Sequence, residues 1–307
     1  MKKLVLIIIV LTVALSSIRA QQMGSFSQTV ENKYLVNPGY VGSDESMPIF
    51  LGYKRLWTGI DNAPSSQFLT FHMKISEDLG GVGAKIFNYS TGSISKSGLN
   101  LSYAYHLKLN DEMKIGFGLS GSLYQFYLDR GQLENVEDAN DQVLLNGSEK
   151  LIVPDANFGI YFYAKNYYAG ISSFQLFGRR VSLMNDMFDN RQVRHYYLHG
   201  GYIFELGSDF KLEPSLLLKY IEANKGQWDL NVKTTYKDFV WLGLGYRSDF
   251  AFDPNDIIIS VGVQKDKIKF GYAYDITLSD IGNVSQGSHE LIFIYQFGNT
   301  NKSAYKW

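Results

Sequence analysis

The chain carries five histidines and no cysteine. His72, His106, His195, His199 and His289 are the residues whose chemistry is most versatile, since an imidazole can ligate a metal or move a proton. His195 and His199 fall on one face of an extended segment, but at about 3.3 Å per residue they stand roughly 13 Å apart along a strand, too far to share one ion. A hydrolase rim could be imagined from Asp186, Asp189 and His195, yet no recognisable nucleophile or orienting partner accompanies them. The absence of cysteine removes disulfides, thiolate metal sites, cysteine nucleophiles and a lipid-modified N-terminal cysteine. The expectation is a protein that is not an enzyme, with no metal and no cofactor, whose histidines are ordinary polar residues of the fold.

A second set of reactive groups is larger. Lys85, Lys114, Lys219, Asp229, Lys233, Arg247, Lys269 and Asp275 all sit where apolar and polar residues alternate, and all fall on the polar side. Such groups could line a water-filled pore, or they could pair with one another and fill an interior. Which of these holds depends on the elements that carry them.

Those elements are strands. Leu99, Leu101, Tyr103, Tyr105 and Leu107 oppose Asn100, Ser102, Ala104, His106 and Lys108, which is the period-two pattern of a sheet with one oily and one wet face. The pattern recurs in Ile115, Phe117, Leu119 and Leu123, in Trp228, Leu230, Val232 and Thr234, and in Ile268, Phe270, Tyr272, Tyr274 and Ile276. With 22 Tyr, 20 Phe and 29 Gly, the composition also suits an all-β protein with aromatic girdles and curved strands. Trp57, Trp241, Tyr103, Tyr105, Tyr272 and Tyr274 are expected on the outward face as such a girdle. A net charge of −1 with 19% charged residues leaves no basic surface for nucleic acid.

Residues 1–20 read as a secretory signal, with Lys2 and Lys3 before an apolar run and a cut after Ala20. Beyond it no apolar stretch approaches the roughly 18–20 residues a spanning helix needs. Turn signals divide residues 47–298 into about fourteen strands, starting near residues 48, 66, 81, 97, 112, 156, 167, 193, 210, 227, 239, 256, 267 and 288. Alternate connections are short and polar, and most of those between are long, as in 129–153, 181–192 and 279–287. That asymmetry is expected of a transmembrane antiparallel barrel of outer-membrane type, with short periplasmic turns and long outer loops. Pro214 removes a ladder donor and is expected near the periplasmic rim. On these faces Phe270→Arg is expected to be costly and Gly271→Ser cheap.

Residues 21–46 show no clean alternation and are expected to form a periplasmic or lumen-inserted segment, with 299–307 a short periplasmic tail. Pro38 fixes its own φ and biases Asn37 away from helix, and Gly39 permits a tight turn. The stretch can then present Tyr34, Leu35 and Tyr40 as apolar anchors, making Tyr34, Leu35, Asn37, Pro38, Gly39 and Tyr40 candidates for closing the lumen or docking a partner.

At Asn37-Pro38-Gly39-Tyr40-Val41-Gly42, and again from Tyr53 through Trp57-Thr58-Gly59 to Pro64, the chain resembles the PorP/SprF family of Bacteroidetes. The likeness continues in Pro154-Asp155-Ala156-Asn157-Phe158-Gly159, in Tyr168-Ala169-Gly170-Ile171-Ser172-Ser173 and in Ser288-His289-Glu290-Leu291, so that it covers nearly the whole mature chain. The resemblance implies an outer-membrane protein of the type IX secretion system, working with periplasmic and outer-membrane components of that machine and, in the gliding branch, helping to export or anchor large surface adhesins. It brings no catalytic residues. A diffusion channel for small molecules is the alternative that the charged wet face leaves open.

Overall fold

Large apolar residues at every second position make each segment extended, and the small or polar residues between them let the opposite face turn toward a crowded interior. The structure, a computed structural model, describes residues 26–129, 148–179, 181, 192–222 and 226–298. The expected signal, the expected tail, Asp186, Asp189 and most of the two longest connections lie outside the described residues. The strands are β1 Met47–Arg55, β2 Ser65–Ser76, β3 Gly80–Thr91, β4 Ile94–Lys108, β5 Met113–Leu128, β6 Glu149–Ala164, β7 Tyr167–Phe174, β8 His195–Tyr202, β9 Phe204–Leu206, β10 Phe210–Ile221, β11 Gln227–Tyr236, β12 Val240–Asp249, β13 Pro254–Lys265, β14 Ile268–Thr277 and β15 Ser288–Phe297.

Every neighbouring pair is antiparallel, and β1 pairs with β15 from Met47 opposite Phe297 to Arg55 opposite His289, which closes the sheet. Since β8 and β9 both pair with β10, they are two pieces of one wall strand, and the barrel has fourteen. Closure removes both sheet edges, which is what lets a sheet stand in lipid. The break between the two pieces lies opposite Glu213 and Pro214, with pairing resuming at Ser215 and Leu212. Pro214 has no N–H to give that ladder. Its place is the fifth residue of β10, whose start at Phe210 is where the sequence suggests it.

The oily face points outward. Leu101 is 59% exposed, while Asn100 beside it is 2% exposed, and Phe117, Leu230 and Phe270 are likewise outside. Tyr103 and Tyr105 are outside too, but Trp241 is not. It is buried in the interior, and its ring fills the space over Gly262, where a Cβ would stand 2.0 Å from it. The parity already contained the answer, because Trp241 shares its face with Arg247, which belongs to the wet side. Trp57 lies in the β1–β2 connection, half-buried, with a φ of 47°.

Phe270→Arg is expected to lower stability in lipid by up to about 2 kcal/mol, since a guanidinium on the lipid face costs most at mid-membrane and Phe270 lies two residues from the start of β14. Phe270→Leu should cost far less, and equal losses in vesicle unfolding titrations would refute the outward assignment. Gly271→Ser is not the cheap change the alternation suggests, because a Cβ there would stand 2.6 Å from Oε1 of Gln28 and 2.8 Å from Cγ1 of Ile292. The wall at that point already touches something inside it.

Candidate functional site: the occupied lumen

The inner object is the chain's own N-terminal segment. Residues 26–46 lie inside the barrel as two short 3-10 turns, Lys33–Leu35 and Pro38–Tyr40, joined by bends. Neither turn could persist alone, since runs this short do not offset the cost of ordering them. The wall supplies what they lack.

Wall glycines receive the second turn. Cβ atoms added at Gly116, Gly118, Gly159 and Gly170 would stand 2.2–2.4 Å from Asn37, Pro38 or Gly39, so four inward positions on β5, β6 and β7 are bare where that turn rests. Gly42, at φ +79°, comes equally close to Gly81 on β3. Asn37, fully buried, accepts from the Gly39 N–H at 2.8 Å and donates through Nδ2 to the Ile160 carbonyl at 2.9 Å and to Nε2 of His199 at 3.1 Å. Tyr34 is buried with its hydroxyl 2.7 Å from Ser102 Oγ, and Leu35 joins an interior cluster with Phe26, Val36, Phe174 and Trp241. Tyr40 is half-buried and meets His72 and Tyr161 edge-on. All six candidate residues of this segment thus face their own wall.

Ion pairs hold the segment elsewhere. Arg247 reaches Asp229 at 2.9 Å and both Asp256 and Asp275 at 3.3 Å, while its NH2 group also donates to the Phe26 carbonyl. Lys54 bonds Asp275 at 2.7 Å and the Ser27 hydroxyl at 2.6 Å, and the Ser27 N–H donates to Glu290 at 2.6 Å. A second group joins Lys233 to Glu31 at 2.6 Å and to Glu213 at 3.0 Å, with Lys33 at 3.6 Å from the same Glu213. Burial works against the Glu31 carboxylate, but Lys233 and Lys269 outweigh it and hold its pKa below the usual value. At the end bearing the short turns, Lys114 pairs with Glu77 at 2.9 Å and Lys74 with Glu45 at 2.7 Å. Lys85 is buried with its ammonium 5.0 Å from the Phe174 ring centre, and Lys219 is buried on the inner face of β10. The eight charges expected on the wet face therefore all point inward or lie half-buried there. Lys54, Glu31, Glu213 and Glu290, which complete their pairs, were not singled out by the alternation.

Two small cavities border the segment, each of about 20 Å³, room for roughly one water. Among the described residues no three metal-ligating side chains converge. His195 and His199 serve separate contacts, the former with the Val193 carbonyl at 2.9 Å.

The chain is similar in fold to solved outer-membrane barrels at low identity. The toluene transporter TodX of P. putida superposes with a TM-score of 0.50 at 10% identity, covering 86% of this chain and 93% of that one. The Ralstonia pickettii toluene transporter TbuX gives 0.49 at 10% identity, covering 85% and 92%. No curated relative matches the chain. A family model described as type IX secretion system membrane protein PorP/SprF matches residues 18–295, nearly the whole length, which places this barrel in the outer membrane and among the parts of that secretion machine. The chain belongs to the PorP/SprF family.

Proposed function

We propose that this barrel is a closed accessory of type IX secretion that helps export or anchor surface proteins such as adhesins, and that its N-terminal segment acts as a plug rather than as a tether. The observation that carries the reading is the lumen itself, where wall charges pair with one another and with residues 26–46 in place of lining a channel. A pore for small molecules would leave such charges facing water. An enzyme would need a converging constellation, and family and fold are those of a membrane barrel of secretion or transport rather than of a known enzyme class.

Deleting residues 23–40, with the signal region left intact, should leave a barrel that still migrates as heat-modifiable on gels but conducts in planar bilayers where the full chain is silent. A silent deletion variant would refute the plug. Gene deletion should abolish surface display of large adhesins, and unchanged display would refute the secretion role. A full-length barrel with stable open conductance would instead favour the diffusion-channel reading.

A further inference from the structure

We infer that the bond between Asn37 and His199 is an acid-sensitive latch, so that protonating one wall histidine releases the N-terminal turn from its seat. The inference rests on the plug reading for its purpose, but not for its chemistry. The Asn37 amide has only one workable orientation: its Oδ1 accepts from the Gly39 N–H at 2.8 Å and its Nδ2 donates to the Ile160 carbonyl at 2.9 Å. Nδ2 therefore also presents N–H to Nε2 of His199 at 3.1 Å, and His199 must accept. An imidazole accepts only through an unprotonated nitrogen. A proton on Nε2 would set donor against donor in a buried contact, and the bond would be lost with nothing to replace it.

The surroundings give that proton room beside the ring and no counter-charge to spare. One of the water-sized cavities is lined by His199 together with Thr29, Lys33 and Ser215, whose buried hydroxyl has no partner. From the wall, Tyr161 stacks on His199 at 5.8 Å and Tyr168 lies 6.1 Å away, donating to Glu213. Glu213 is already shared between Lys33 and Lys233, and Glu31 is taken by Lys233. A new positive charge thus arrives beside Lys33 without a free carboxylate. The neighbouring histidines differ. His106 meets the Val41 carbonyl through Nε2 at 2.7 Å, a bond in which it must donate and which survives protonation. His72, packed against Tyr34 and Tyr40, makes no bond to the segment that depends on a lone pair. Docking is then complete well above pH 6.5, about where an imidazole ordinarily titrates, and weakens as the pH falls below it.

The absence of cysteine allows paired nitroxides at Val30→Cys in the segment and Asp238→Cys on an exposed turn of the full-length barrel in lipid discs. Pulsed EPR should give a narrow distance distribution at pH 7.5 that broadens at pH 5. His199→Gln, whose amide oxygen can still accept, should remain narrow at both values, and His72→Gln should broaden as the parent does. Asn37→Asp should reverse the trend, because a carboxylate prefers the protonated ring. A parent distribution unchanged by acid, or a His199→Gln variant that broadens equally, overturns the latch. Bilayer recordings of the same proteins report separately whether release opens the pore, so failure of the plug reading stays distinguishable.

Discussion

Replacing Arg247 by Met should lower the stability of the barrel by about 3–5 kcal/mol, because it breaks a buried ionic cluster from its centre and leaves carboxylates without their counter-charge. The guanidinium binds Asp229 through Nε and NH2, and reaches Asp256 and Asp275 through NH1. Asp229 and Asp275 are 2% and 1% exposed, so water cannot substitute. Asp275 keeps Lys54, whereas Asp229 is left with the Gln227 amide at 2.8 Å and the attraction of Lys219. Arg247→Lys should recover little, since an ammonium cannot span three carboxylates with a planar fork. Adding Asp229→Asn to Arg247→Met should restore a substantial part, as one stranded charge is removed with its partner. Urea titration in lipid vesicles measures all three, and a loss below about 1 kcal/mol for Arg247→Met would show that the cluster is solvated or redundant. The loss should also shrink near pH 4, about where carboxylates ordinarily become neutral.

Gly118→Val should open the lumen without preventing assembly. A Cβ at Gly118 would stand 2.3 Å from the Gly39 nitrogen and 2.3 Å from the Pro38 carbonyl carbon, both backbone atoms that no rotamer can move aside. Valine suits a strand, so the wall itself has no reason to fail. The segment must leave its seat, and the expected readout is a change from silence to conductance in planar bilayers. Gly121→Val on the same strand faces outward, where a Cβ meets nothing within 4 Å, and should change neither assembly nor conductance. If Gly118→Val forms a barrel and stays silent, the second turn is not what closes the pore. Gly159→Val provides an independent case, since its Cβ would collide with Asn37.

The wall was legible because its signal is local and repeated. One period-two pattern, such as Asn100 to Lys108, tells strand from helix and sorts the two faces, and the alternating connection lengths then identify a membrane barrel, with its oily face outward, and tell the two rims apart. Trp241 shows the limit of reading residue type in place of parity: an aromatic suggested a girdle, whereas its two-residue spacing to Gly243, Gly245 and Arg247 placed it within. The inward direction of Lys233 or Asp275 could be read in the same way, but their partners could not. Glu31 meets Lys233 across 202 positions, and no local rule reaches that far. Gly116, Gly118, Gly159 and Gly170 read as no more than part of a glycine content suited to curved strands, since a missing side chain does not announce what fills its place. In the N-terminal segment, the rigidity of Asn37-Pro38-Gly39 was visible, but not that its amide would select the tautomer of a histidine 162 positions away.

The first and last described parts of the chain meet in one place. Ser27 is held by Asp275 and Glu290, residues of the last hairpin, and β15 also forms the closing seam with β1. A chain that stops short of that hairpin loses its seam and its grip on residues 26–28 together. Closure and plugging are therefore one event: a barrel lacking its last hairpin would have an open edge and an unanchored leading segment at once.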